Sequence, residues 1–215
     1  MIIEFFGFPG SGKTTICNKF VKKINKNKNK VIRGTFDHLG LIKRSVYKLF
    51  YSTLCLFISP SFYFKNIQFF FKISVKRKIM IGDFLNMTYL YSRYSILKHS
   101  KKIIVFDQGL IQAYWSILVF AEDGENYDYQ HLFKNLDTVV ILEMDQKQNV
   151  ERLFSRKDQR SRVQKQFENI EFYFNKFLTV KKIIEELDFL NKLYLNSEKK
   201  PKKNAKRIKK NIKYA

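Results

Sequence analysis

Residues 7–15 read GFPGSGKTT, so Gly7, Gly12, Lys13 and Thr14 fill the fixed positions of the phosphate-binding pattern G-x-x-x-x-G-K-[ST]. Glycines at 7, 10 and 12 allow backbone angles and a close approach that side chains would block. Successive amide N–H groups then line a concave nest at the positive end of the helix that follows. In such a loop Lys13 reaches the β- and γ-phosphates and the Thr14 hydroxyl ligates Mg²⁺. The expected nucleotide-binding set is Gly7, Gly10, Ser11, Gly12, Lys13, Thr14 and Thr15.

This chemistry needs a strand before the loop and a helix after it. Met1 to Phe6 is an apolar run that reads as a buried strand, and Lys13 to Lys28 reads as a helix with Ile16, Phe20, Val21 and Ile24 on one face. Another strand, Lys102 to Asp107 (KIIVFD), is apolar and β-branched and ends in an acid; such a run is the pattern of a central buried strand. Asp107 at its tip either binds Mg²⁺, directly or through water, or caps the next helix. Gly109 then turns the chain into an apolar helix over 110–120, and Gln108 and Gln112 beside that turn are candidates for holding a substrate.

Val31 to Arg33 reads as a short strand ending at Gly34, followed by Thr35, Asp37 and His38. The carboxyl end of a parallel strand faces the ligand crevice. Asp37 is therefore either a substrate-binding or acceptor-orienting residue, or an ordinary loop acid and helix cap. Asp137 to Glu143 reads as another buried strand. Asp145 to Lys157 reads as a helix with Val150, Leu153 and Phe154 inward and Arg152 and Arg156 opposite. Residues 156–162 (RKDQRSR) suit a lid whose arginines, Arg156 and Arg160 among them, fork onto phosphoryl oxygens. Read alone, the segment is a solvated charge run. A long amphipathic stretch over 163–190, a short strand at 192–195 and a basic helix opened by Pro201 complete the chain.

Residues 43–98 are rich in aromatics and bases, and 49–64 (LFYSTLCLFISPSFYF) carries no charge. The run is shorter than the ~20 residues that span a bilayer and is broken at Ser59-Pro60-Ser61. Either a helical cap packs its apolar faces on the sheet, or the segment touches membrane, where its flanking lysines suit anionic headgroups. Tyr89, Tyr91 and Tyr94 fall on a third cap helix ending before His99.

The chain has 215 residues and a net charge of +22. That length suits one α/β domain, with a helical insertion over 41–100. Lys, Asn, Ile, Phe and Tyr are abundant together, which raises the basic count without any polynucleotide partner. No nucleic-acid recognition element accompanies the charge, so the composition favours a solvated surface and an anionic small substrate. Cys17 and Cys55 have no metal-ligand spacing, which fits a reducing cytoplasm. The opening strand feeds the phosphate loop, so a cleaved export signal is not expected.

Together these segments resemble the P-loop kinase group that includes thymidylate kinase and related nucleoside and nucleotide kinases. The resemblance runs from GFPGSGKTT through the strand ending in Asp107 to VVILEMDQKQNVERLFSRKDQRSR and KLYLNSEKKPKKNAKRIKKNI. It implies a three-layer fold on a parallel sheet of about five strands, ATP as donor, Mg²⁺, and a small acceptor under the cap. By position, Lys13 and Thr14 carry over as phosphate and metal residues and Arg156 and Arg160 as lid residues. The acceptor side departs from the group. Thymidylate kinases follow the third strand with Asp-Arg, whereas here Asp107 is followed by Gln108 and Gly109, and Gln has neither the charge nor the fork of Arg. The acidic-proline signature after the second strand is replaced by Gly34-Thr35-Phe36-Asp37.

The expectation is an ATP- and Mg²⁺-dependent small-molecule kinase whose acceptor is a nucleoside, a nucleotide, a sugar or a related molecule. The alternative is a P-loop switch that binds a protein or a membrane and hydrolyses slowly with no small acceptor. No N-K-x-D guanine signature occurs in the sequence. Peripheral membrane contact is compatible with either.

Overall fold

The structure is a computed structural model that describes residues 1–25, 31–35, 40–74, 80–119, 130–155 and 170–212. Along the chain come β1 (Ile2–Gly7), α1 (Lys13–Asn25), β2 (Val31–Arg33), α2 (Leu41–Ile58), α3 (Pro60–Ser74), α4 (Met80–Leu97) and β3 (Ile103–Phe106). They are followed by α5 (Leu110–Leu118), α6 (Gln130–Phe133), β4 (Thr138–Glu143), α7 (Gln146–Phe154), α8 (Ile170–Glu185), β5 (Asn191–Asn196) and α9 (Pro201–Asn211).

The apolar runs are joined through helices, which serve as the crossovers that parallel pairing requires, and they form a five-stranded parallel sheet in the order β2-β3-β1-β4-β5. β1 pairs with β3 on one side, Ile3 opposite Val105, and with β4 on the other, Phe5 opposite Val140. Alternation along β1 sends Ile2 and Phe6 to a core with Tyr94, Leu110 and Phe177, and Ile3 and Phe5 to a core with Ile16, Phe20, Ala205 and Ile208. A strand buried on both faces therefore reads as a continuous apolar run. Helices α4, α5 and α8 cover one face and α1 and α9 the other, which is the three-layer P-loop fold. Because the chain leaves β1 toward α1 and β3 toward α5, a crevice opens at the carboxyl ends of those neighbouring strands.

The uncharged stretch is helical on both sides of a break. Ser59 ends α2, its N–H donating to Cys55 O at 2.9 Å, and Pro60 starts α3, where a missing N–H costs nothing. α2 lies along α4, joined by Ser52 Oγ and Thr88 Oγ1 at 2.6 Å and by Ser92 Oγ donating to Tyr51 O at 2.8 Å. Phe62 of α3 stacks on Tyr91 at 3.5 Å between centroids. Among the described residues no helix is long and apolar enough to cross a membrane.

Some expected boundaries and faces shift. The first helix is described to Asn25; Cys17 is buried on its core-facing side, as expected, while Val21 is only half-buried against the same core. Asp137 lies just outside β4, its Oδ2 accepting the Ile2 N–H at 2.6 Å. Asp145 is the N-cap of α7 rather than its first residue, accepting the Gln148 N–H at 3.2 Å. Phe154, expected inward, is exposed, and Asn149 is buried instead. The buried face of α7, with Asn149 and Leu153, backs the phosphate loop at Gly10.

Candidate nucleotide site

The loop between β1 and α1 is built on left-handed glycines. Gly10 has φ 100° and Gly12 φ 81°, conformations that cost an L side chain roughly 1–2 kcal/mol. A Cβ on Gly10 would also lie 2.7 Å from Asn149 O of α7. The Ser11 N–H donates to Phe8 O at 3.1 Å, closing the turn, and Ile16 N–H donates to Gly12 O at 3.0 Å, starting the helix. Phe8 pins the loop from below, its ring 6.0 Å from Trp115, 5.3 Å from Phe174 and 5.9 Å from Phe177. The loop's shape is thus held by α5, α7 and α8 before any ligand arrives.

Lys13 is buried and its Nζ folds back, donating to Gly7 O at 2.5 Å and Phe8 O at 3.2 Å. Thr14 and Thr15 are exposed at the first turn of α1. Ser11 Oγ is buried and makes no hydrogen bond with the described residues.

Asp107 follows β3 and is buried. Its Oδ1 lies 3.6 Å from Arg33 Nη1 but makes no hydrogen bond with the described residues. A buried carboxylate oxygen in that state fits a hard cation, which takes one or two carboxylates together with hydroxyl, water and phosphate oxygens. Asp107 and Thr14 are the residues that fit Mg²⁺. Among the described residues no cluster of His, Cys, Asp or Glu suits a metal held by protein alone. Arg33 also reaches the Cys17 sulfur; burial, and then the Asp107 charge, push that thiol up to about 12, so it packs as a neutral group.

Gln108 is exposed at the turn, and Gln112 is buried in the first turn of α5 with Oε1 unpaired among the described residues. Its backbone N–H donates to Glu4 Oε1 at 3.0 Å, and Glu4 Oε2 accepts from the Tyr94 hydroxyl at 2.7 Å. Glu4 is a buried acid in the central strand, capping α5 from another element. Burial pushes its pKa up from 4.5 to about 7 against the opposing donors from Gln112, Tyr94, Ile111 and Gly109. Arg93 of α4 donates through Nε to Gly34 O and through Nη1 to the Tyr51 hydroxyl, both at 3.1 Å. It ties the cap to the end of β2.

The structure therefore gathers Gly7, Gly10, Ser11, Gly12, Lys13, Thr14, Thr15, Asp107 and Gln112 around the carboxyl ends of β1 and β3, with Gln108 at the exposed turn. Asp37, Arg156 and Arg160 lie outside the described residues. Arg152, expected on the outer side of α7, is exposed and donates to Ser197 O at 3.2 Å. Glu4, Arg33, Arg93 and Asn149 stand outside the expected set of site residues. A lone acid inside an apolar central strand was a legible signal for Glu4; the others needed tertiary neighbours.

A family profile described as the KAP family P-loop domain matches residues 7–213. The chain belongs to that KAP family. No curated protein matches the sequence. Its backbone is similar to deoxyadenosine kinase from M. mycoides with bound dATP, at TM-score 0.58 and 14% identity, covering 98% of each chain. The same enzyme with products dCMP and a flexible dCDP gives TM-score 0.54 and 18% identity, over 98% of this chain and 97% of that one. At those identities the likeness is one of fold, and it extends through the helical insertion of this KAP domain. The narrower grouping with thymidylate kinase is not supported by these matches.

Proposed function

We propose that this KAP domain is an ATP- and Mg²⁺-dependent small-molecule kinase, with the acceptor bound between the carboxyl end of the sheet and the cap α2–α4. The observation that carries the reading is a set of buried polar atoms with no hydrogen bond among the described residues. Among them are Ser11 Oγ in the glycine loop, Gln112 Oε1 in the first turn of α5, and Asp107 Oδ1 after β3, which has an ion pair with Arg33 at 3.6 Å but no hydrogen bond. Folded proteins rarely bury such atoms without a partner, and a polar ligand supplies one.

On this reading the amides of residues 10–14 receive the β- and γ-phosphates, and Lys13 exchanges its bonds to Gly7 O and Phe8 O for phosphate oxygens. A bound Mg²⁺ would supply charge neutralisation on those oxygens, held by Thr14 and Asp107. Gln112 offers its amide to a polar group of the acceptor, and Gln108 sits at the entrance. Asp37 takes up the acceptor hydroxyl proton as the new O–P bond forms and the β–γ bridging bond breaks. Arg156 and Arg160 close over the migrating phosphoryl group.

A switch that hydrolyses without a small acceptor is the second reading, favoured by the match to an NTPase family across 7–213 and by the loss of an arginine at position 108. One experiment separates them: ATP consumption with Mg²⁺ against nucleosides, nucleotides, sugars and sugar nucleotides, with Lys13→Ala alongside. An acceptor that lifts turnover well above the water background, with a phosphorylated product and no activity in Lys13→Ala, is the expected result. Slow hydrolysis indifferent to every acceptor overturns the kinase and leaves the switch.

A further inference from the structure

The face of α2 that meets the protein is largely polar: Lys48 Nζ donates to Asn86 Oδ1 at 2.7 Å and Ser52 meets Thr88 at 2.6 Å, while the Tyr51 hydroxyl accepts from Arg93 and Cys55 is buried beside them. A row of large apolar side chains faces away. Ile42 is 82% exposed and Phe57 75%, and Val46, Leu49 and Phe50 between them are each more than half exposed. The spacing 42, 46, 49, 50, 57 is that of one helix face, and Phe64 on α3 is also more than half exposed. A helix of a water-soluble domain normally shows the reverse arrangement, and an exposed apolar row of this extent marks an interaction surface.

Charge selects the occupant. Residues 41–74 contain Lys43, Arg44, Lys48, Lys65 and Lys72 and no Asp or Glu, and Lys43 and Lys65 are exposed beside the apolar row. A second copy of this face would bring bases against bases with no acid to pair them. An anionic bilayer offers hydrocarbon for the row and headgroup charge for its flank. With 18 residues and no spanning helix among those described, α2 has the features of a helix that lies in the interface. We propose that the outward face of α2, with Phe64 of α3, docks this domain on an anionic lipid surface. The docking does not depend on whether the phosphoryl acceptor is a small molecule or water.

The test is co-sedimentation of the full chain with vesicles of phosphatidylcholine alone or of phosphatidylcholine and phosphatidylglycerol in equal parts. The protein is expected in the pellet with the anionic vesicles and in the supernatant with the neutral ones. Phe50→Ser/Phe57→Ser should lower the partition coefficient by about tenfold or more, since each ring leaves the hydrocarbon boundary. Lys43→Gln/Lys65→Gln should lower it by about fivefold per charge. Neutralising Lys202, Lys206 and Lys209 on the other basic helix, α9, is the control and should cost less. Phe57→Trp gives a readout that keeps the apolar face, because the native Trp115 is buried: its emission should shift to the blue only with anionic vesicles. Absence of vesicle binding, binding untouched by the α2 variants, or binding lost only in the α9 variant overturns the proposal. So does a dimer dissolved by Phe50→Ser/Phe57→Ser in a chain that ignores vesicles.

Discussion

Replacing Glu4 by Gln tests how the central strand tolerates a buried acid. The carboxyl group titrates at about 7 in the folded protein against 4.5 for an ordinary Glu. A raised carboxyl pKa means that the folded state holds the proton more tightly than the unfolded state. The contribution of Glu4 is therefore most favourable below pH 4.5 and is lost as pH rises through 7. At about 1.4 kcal/mol per unit, the swing is roughly 3 kcal/mol, a large share of a typical stability of ~5–15 kcal/mol. Gln cannot ionise, yet its carbonyl can accept the Gln112 N–H and its amide can donate to the Tyr94 oxygen. Glu4→Gln should fold, and the difference in unfolding free energy between wild type and variant should fall from acid to neutral pH by that amount. Urea unfolding followed by circular dichroism at pH values either side of the swing measures it. Taking the difference cancels the other carboxylates, which titrate in both proteins. A flat difference, or one that grows with pH, refutes the reasoning. Tyr94→Phe sharpens the test: the hydroxyl donates to Glu4 Oε2 and stabilises its charged form, so its loss should move the swing to higher pH.

Gly10→Ala forces a side chain into a left-handed conformation and against Asn149 O at 2.7 Å. It should weaken binding of a fluorescent ATP analogue by about tenfold or more, from ~1–2 kcal/mol of backbone strain plus the displaced loop. Unchanged titration would show that the loop shape is not the determinant. Asp107→Asn should leave nucleotide binding in EDTA within about twofold of wild type and remove most of its enhancement by Mg²⁺, since a neutral amide is a poor ligand for a hard cation. Mg²⁺ titrations of both proteins measure this, and an undiminished Mg²⁺ effect refutes the assignment. Gln108→Arg is not expected to create strong thymidylate phosphorylation, because the acidic-proline signature is absent as well. Efficient formation of thymidine diphosphate by the unmodified chain would show that both departures are immaterial.

Residues 7–14 announced a phosphate site because backbone geometry makes that demand locally. A nest of amides at a helix start needs glycine where φ is positive, and it needs those residues in a row. The flanking strand and helix were legible for a similar reason, since the period of apolar residues reports which faces are covered. Layer order followed, because short apolar runs alternating with helices have one economical packing.

What the pattern left open depends on residues distant in the chain. Arg33 and Asp107 are remote in sequence and meet only because β2 and β3 are neighbours in the sheet. Glu4 became a helix cap because α5 returns over β1, so an acid that ought to weaken a central strand is surrounded by donors. Within 43–98 the described helices α2, α3 and α4 form a cap, and one apolar face of α2 is nevertheless turned outward. Periodicity shows that a helix has an apolar face and says nothing of what covers it. The sequence by itself determined the phosphate loop, the parallel α/β order and the helical insertion, all of which are encoded by near neighbours. Tertiary structure alone decided which buried polar atoms meet at the crevice and which face of α2 meets solvent, because burial and charge pairing are properties of contacts between elements.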